Sequence, residues 1–252
     1  MLALRRLLTK TWPYTLSTAF AGFVGTVYMA HVIGIAAFAD YAIDLAKLSV
    51  ILLLAELIPS SYSIFRQQQS PQFADDIATF VLLLLFIVPI VVLALFSLNY
   101  FSDRSMFMLI YSAGALVQRY FDSRFQAQGR VNDFFALPLT SSVTRVAVLL
   151  GLGHIAIDIA PADLAWSSAA SGLIVSQLLL LFRTPSELTP FLKPDKAAAL
   201  ARLWALRKDF FHYYPNIILK RLRDVSMALA CDWLVSSKFE AGKYLLAYRG
   251  ID

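Results

Sequence analysis

The segment NIILKRLRDVS, residues 216–226, carries Lys220, Arg221, Arg223 and Asp224 between the apolar flanks DFFHYYP and MALACDWLV. Read as a membrane helix, it places four charges near the bilayer middle, where each costs about 2.5–3.5 kcal/mol on insertion scales. Other apolar stretches are charged too. Asp44, Lys47 and Glu56 share one of them, and Arg145 sits in SSVTRVAVLL. Bases in such places can neutralise an anion, and arginine can do so with two parallel hydrogen bonds. Local pairing accounts for part of the pattern. Asp44 and Lys47 are three apart, and Lys220 and Asp224 four apart, both within reach on one helix face. Glu56 is tolerable when protonated and hydrogen-bonded, and Arg221 can snorkel. Arg145 has no acid within a turn. The buried bases exceed the acids, so the sequence points to a cationic cavity suited to phosphate or pyrophosphate. Its candidate lining is Lys47, Arg145, Lys220, Arg221 and Arg223.

Other chemistries find no support. Cys231 is the single cysteine, so an internal disulfide and a cysteine metal cluster are excluded. The three histidines, His31, His154 and His212, are scattered. HExxH, GxSxG and GxxxxGK[ST] do not occur, and the chain reads as a non-enzyme with no cofactor and no metal site. A net charge of +5 would suggest nucleic acid in a soluble protein. Without a basic run interleaved with aromatics, it is better read as a topology signal.

The elements that must position these charges are long apolar helices. Of the 252 residues, 59% are hydrophobic, and mean hydropathy is +0.65. A soluble domain averages about 45–50% apolar. Only helices satisfy their backbone polar groups within one segment of a bilayer. Runs of about 20 apolar residues therefore predict spans. They start at Pro13, running to about Ala36, and continue as Tyr41–Phe65, with Asp40 as N-cap, and Ile77–Leu98. Further spans are Met106–Phe125, Phe134–Ile155, Leu164–Phe182 and Phe210–Leu234, with an eighth starting near Phe239. "AFA" at 37–39 resembles a signal cleavage site, but the apolar stretch before it is longer than the usual h-region of about 7–15 residues. The expected fold class is all-α: a polytopic transmembrane helix bundle with a six-helix lobe over 1–184. A cytoplasmic linker with an amphipathic helix, DKAAALARLWALRK, follows over 185–208. Residues 209–252 begin a second lobe.

The loops give an orientation. Arg5, Arg6 and Lys10 precede the first span, Arg66 follows the second, and Arg124 and Arg130 follow the fourth, with Arg119 just inside that helix end. Arg183, Lys193, Lys196, Arg202, Arg207 and Lys208 follow the sixth. The loops after the first and fifth spans carry no Lys or Arg, and the one after the third carries Arg104. Basic loops stay in the cytoplasm, so the N-terminus is expected there.

HVIGIAAFADYAIDLAKL resembles WLVSSKFEAGKYLLAYR near the chain end. A repeat spaced by six helices keeps both copies in one orientation, as in two-lobed transporters. These residues also carry a family resemblance. Ile33-Gly34 followed by Phe38-Ala39-Asp40-Tyr41 is similar to the start of the second span in polysaccharide biosynthesis flippases, with the family's usual glycine replaced around Ala39. Pro215, Asp232 and AGKYLLAYR (Gly242, Tyr244, Arg249) resemble that family's seventh span and following turn. RFQAQGR at 124–130 resembles the cytoplasmic end of its fourth. The family belongs to the multidrug/oligosaccharidyl-lipid/polysaccharide exporter superfamily.

The resemblance implies twelve to fourteen helices in two lobes, of which this chain holds the first lobe, the seventh helix and part of the eighth. It implies alternating access in the bacterial inner membrane and a polyprenyl-diphosphate-linked glycan as substrate. Membrane lipid, and a polysaccharide polymerase or glycosyltransferases, would be its partners; nucleic acid would not. The basic residues would draw in the diphosphate. Asp44, Glu56, Asp224 and Asp232 would serve ion coupling or charge pairing. Two alternatives remain open. A multidrug-extrusion-type cation antiporter of the same superfamily would favour a net acidic cavity. A membrane-embedded acyl- or glycosyltransferase would need a partnered histidine or paired carboxylates, and His31 lacks an evident partner.

Overall fold

A computed structural model describes the chain apart from residues 1, 156–158, 193–195, 212 and 252. The described residues form helices and connecting turns, with no strand among them. In order these are α1 (Leu2–Ile33), α2 (Ile35–Ile51), a 3-10 turn (Leu52–Leu57), α3 (Ser60–Gln69), α4 (Phe73–Ser97), α5 (Phe107–Ala127), α6 (Val131–Ile155) and α7 (Pro161–Arg183). A short 3-10 turn (Pro185–Leu188) leads to α8 (Thr189–Leu192), α9 (Lys196–Ala205), α10 (Arg207–Phe211), α11 (Tyr214–Leu234) and α12 (Lys238–Ile251). Lys193 and Asp195, and the side chains of Arg5, Arg6, Lys10, His154 and Arg249, lie outside the described residues.

Four helices are long and apolar enough to cross a membrane: Thr15–Ile33 within α1, Phe73–Ser97, Val131–Gly153 within α6, and Pro161–Arg183. They match four of the expected spans. α2 and α12 are shorter, and α5 and α11 carry charged residues along their length. α7 is the central helix, with 67% of its apolar window buried against 11% for α6. It packs on α5 and α6, and its Trp166 is fully enclosed. Phe20, Phe86, Ile90 and Phe182 point outward, two thirds exposed or more. Contiguous outward apolar surface of this kind suits a lipid surround.

Several local expectations need correction. Pro13 lies inside α1, which is already helical from Leu2. The first two helices meet at Gly34, whose φ of 86° lies in the left-handed region that glycine enters at no steric cost. α2 therefore starts at Ile35, and Asp40 lies within it rather than capping it. The second span is not continuous. Pro59 forces the residue before it into extended backbone; Ile58 has φ −113° and ψ 104°, and the helix restarts at Ser60. The seventh is also broken, with Pro215 in the first turn of α11, where its missing N–H costs nothing. The amphipathic linker is helical over Lys196–Ala205 and rests on α4, burying Ala199 and Leu203 and leaving Trp204 outward.

The chain's last two helices do not stand apart from the bundle. α11 and α12 both pack on α2. Gly242 explains how closely α12 can approach: a Cβ there would collide with the Ile35 carbonyl.

Candidate functional site

Four of the candidate charges meet where α2 and the 3-10 turn after it pack against α11. The two runs are antiparallel, because Lys47 faces Asp232 and Glu56 faces Arg221.

At one end, Lys47 Nζ lies 2.9 Å from Asp232 Oδ2, with the two side chains 12% and 18% exposed. Lys238, opening α12, reaches the other oxygen of Asp232 at 3.3 Å and Asp40 at 3.0 Å. Burial disfavours the Lys238 charge, but Asp40 and Asp232 outweigh it and raise its pKa. Lys47 also lies 5.5 Å from the centre of the Tyr100 ring. Asp44 is fully buried and takes no part in this chain of pairs. Its two oxygens accept the backbone N–H groups of Ser102 and Asp103, each at 2.9 Å, which fixes the α4–α5 loop against α2. The expected Asp44–Lys47 pair is replaced by these partners. Asp103 lies in that loop. Burial raises its pKa, as do Asp40 and Asp163, while Lys238 opposes them.

At the other end, Glu56 is shared by two guanidinium groups. Arg119 of α5 pairs with Oε2, and Arg221 of α11 lies 3.1 Å from Oε1. Arg119 also donates to Ser60 Oγ at 2.9 Å, across the Pro59 break. Tyr214, the first residue of α11, donates to the Leu57 carbonyl. A cavity of about 20 Å³ beside Arg119, Ser60, Ser63 and Ser123 has room for one water.

Arg145 is elsewhere, inside the first bundle. Its Nη2 lies 3.1 Å from Met29 Sδ and 3.4 Å from Tyr41 Oη, and its guanidinium lies 5.6 Å from the centre of the Tyr41 ring. Its Nε is buried with no partner among the described residues. Tyr41 packs edge-on against Trp166. Lys220 and Arg223 are on the outer side of α11. Lys220 is exposed, and Arg223 pairs with Asp224 at 3.2 Å in place of the expected Lys220–Asp224 pair.

The nine sequence-derived candidates are thus distributed over four places. Lys47, Glu56, Arg221 and Asp232 meet at the α2–α11 contact, Arg145 sits behind Tyr41, and Lys220, Arg223 and Asp224 face outward. Asp44 holds a loop. Sequence reading did not assign Arg119, Lys238 and Asp40 to this site. In the sequence, Arg119 reads as a topology signal and Asp40 as a helix cap, and Lys238 carries no signal of its own. Further carboxylates hold the linker side. Glu187 accepts Arg124 at 3.2 Å and Arg130 at 2.7 Å, and Asp76 holds Arg202 at 2.6 Å.

The chain is an all-helical protein of membrane type. Compared with protein-family models, curated proteins and solved structures, it matches none.

Proposed function

We propose that this chain is part of a flippase that moves a polyprenyl-diphosphate-linked oligosaccharide across the bacterial inner membrane for surface polysaccharide synthesis. The chain would be multi-pass with its N-terminus in the cytoplasm, and its first bundle would form one lobe of a two-lobed transporter. The observation that carries this reading is the row of ion pairs across the α2–α11 contact, Lys47–Asp232 and Glu56–Arg221, within largely apolar helices. Charges at such depth are costly and persist where a function uses them. A static scaffold would be more stable with apolar residues of similar volume in those positions. Pairs that part and re-form suit a protein whose lobes separate in turn. The basic residues at the contact, Lys47, Arg119 and Arg221, suit a diphosphate better than a cationic drug, which favours the polysaccharide branch over the multidrug one.

The test is complementation of a strain lacking its own flippase by the gene that encodes this chain. Lys47, Arg145, Lys220, Arg221 and Arg223 are each changed to Ala, and membrane levels are measured in parallel. Loss of surface polysaccharide at normal protein level is expected for Lys47→Ala and Arg221→Ala. Full export by all five variants would sink the reading.

A further inference from the structure

The two ends of the α2–α11 contact share a design. At each end, one acid is held by two bases, and one base comes from each side of the gap or from a neighbouring helix. If α11 moves away from the 3-10 turn, Glu56 loses Arg221 but keeps Arg119. If α11 moves away from α2, Asp232 loses Lys47 but stays within reach of Lys238, six residues on in the chain, which also holds Asp40 of α2. In neither case is a carboxylate left buried and unpaired, which would be the costly outcome. What each opening does leave unpaired is a base: Arg221 at one end, Lys47 at the other. Lys47 is then left with the Tyr100 ring and the electrostatic influence of the buried Asp44 carboxylate, and Arg221 is already 43% exposed.

We infer that these pairs are latches whose release creates an anion site: the base freed at Lys47 or Arg221 takes a diphosphate group in place of the carboxylate it left. This rests on the diphosphate-export reading above and adds how the substrate would drive opening. The ends are about 16 Å apart along α11, by 1.5 Å per residue between Arg221 and Asp232. α11 is a single continuous helix over that distance, so a movement released at one end is carried to the other. An anion that binds only the freed base stabilises the open arrangement and leaves the closed one unaffected, and a difference in affinity of that kind is what shifts a conformational equilibrium. Arg119 and Lys238 are the positioning residues here, because they keep the acids neutralised while the latch is open.

The protein supplies its own reporter. Cys231 is its single cysteine, it lies on α11 next to Asp232, and it is 5% exposed. A thiol shielded in apolar surroundings reacts slowly, and hydration on opening speeds alkylation. The experiment is the rate of Cys231 alkylation by N-ethylmaleimide, with the full chain in phosphatidylcholine nanodiscs, with and without inorganic pyrophosphate.

In the wild type, pyrophosphate is expected to raise the rate severalfold. Arg221→Gln and Lys47→Gln should each raise the basal rate about tenfold, as expected for loss of a charged hydrogen bond, and should blunt the response to pyrophosphate. Arg221→Gln leaves the Glu56–Arg119 pair intact, so it tests the latch without stranding a buried charge. Arg221→Lys should restore the slow rate and the response. Glu240→Gln, which removes an exposed pair on α12, should change neither. A wild-type rate indifferent to pyrophosphate, or an equal response in the Arg221→Gln and Lys47→Gln proteins, overturns the inference. So does a full rise from phosphatidylglycerol nanodiscs without pyrophosphate, which would assign the site to lipid headgroups. If export fails in the complementation test while pyrophosphate still opens the wild type, the export reading falls and the anion-driven opening stands.

Discussion

Glu56 and Arg221, 165 residues apart in the chain, meet at 3.1 Å, and the same Glu56 carboxylate also holds Arg119. The two bases are not equivalent. The Arg119 side chain is 21% exposed and that of Arg221 is 43% exposed, against 9% for Glu56. The inner pair belongs to the first bundle, and the outer arm reaches across to α11.

This inequality predicts an order of stabilities. Glu56→Gln leaves two guanidinium groups facing each other, one of them well enclosed. Removing one partner of a buried pair costs about 3–5 kcal/mol. Arg221→Gln removes a half-exposed arm from a carboxylate that keeps Arg119. A cost of about 1 kcal/mol or less is expected. Thermal unfolding of the two variants in the same detergent should place Glu56→Gln far below Arg221→Gln. Equal losses would mean that Arg119 does not depend on Glu56.

Gly242 should tolerate no side chain. A Cβ there meets the Ile35 carbonyl, so α12 must move away from α2 to accommodate it. Overpacking of this kind costs about 1–3 kcal/mol. The control is Gly22→Ala in α1, where a Cβ meets nothing within 4 Å. Replacing a helical glycine in open space by alanine should be neutral or stabilising by up to about 1 kcal/mol. The unfolding midpoint of Gly242→Ala should fall well below that of the wild type, and that of Gly22→Ala at or above it.

Much of the bundle was legible because its signal is local. α4, α6 and α7 are single apolar runs, and their ends fall within a few residues of the hydrophobic boundaries. The break at Ile58–Pro59 is only partly legible: Pro59 and the polar SSYS after it mark the end of the apolar run, but Ile64 and Phe65 extend it in appearance. Asp40 reads as a cap because it precedes an apolar run, whereas the helix begins at Ile35, five residues earlier. The candidate site was legible in part. Buried charges announce themselves by type, so Lys47, Glu56, Arg221 and Asp232 stood out. Their partners did not, because pairing across distant helices leaves no spacing in the sequence. Periodicity pointed to Asp44–Lys47 and Lys220–Asp224, but the loop at Ser102–Asp103 and the neighbouring Arg223 won those acids instead.

Asp103 gives a pH dependence. Its pKa is raised, first by burial and then by Asp40 and Asp163, so the folded protein holds its proton more tightly than the unfolded chain does. The ionised carboxylate therefore works against folding at neutral pH. That penalty fades as pH falls through the raised pKa. Asp103→Asn removes the charge at constant size, and its backbone N–H still serves Asp44. The variant should be more stable than the wild type at pH 7, with the gain shrinking toward pH 4. Unfolding midpoints across that range check the sign. A gain that grows on acidification would show that Asp103 is held ionised by Lys238.

Arg145 separates a structural charge from a functional one. No carboxylate reaches its guanidinium among the described residues, and its contacts are a thioether, a hydroxyl and an aromatic face. Cation–π and hydroxyl contacts of this kind return about 0.5–2 kcal/mol. Insertion of the charge near a membrane centre costs more than that. Arg145→Met keeps the length and polarisability of the side chain and removes the charge. The variant should therefore unfold at a higher temperature than the wild type. If the charge is retained for substrate, the same variant should lose polysaccharide export at normal membrane levels. A stabilised variant that exports normally would remove Arg145 from the binding machinery. A destabilised one would mean that Tyr41 and Met29 hold the guanidinium as part of the core.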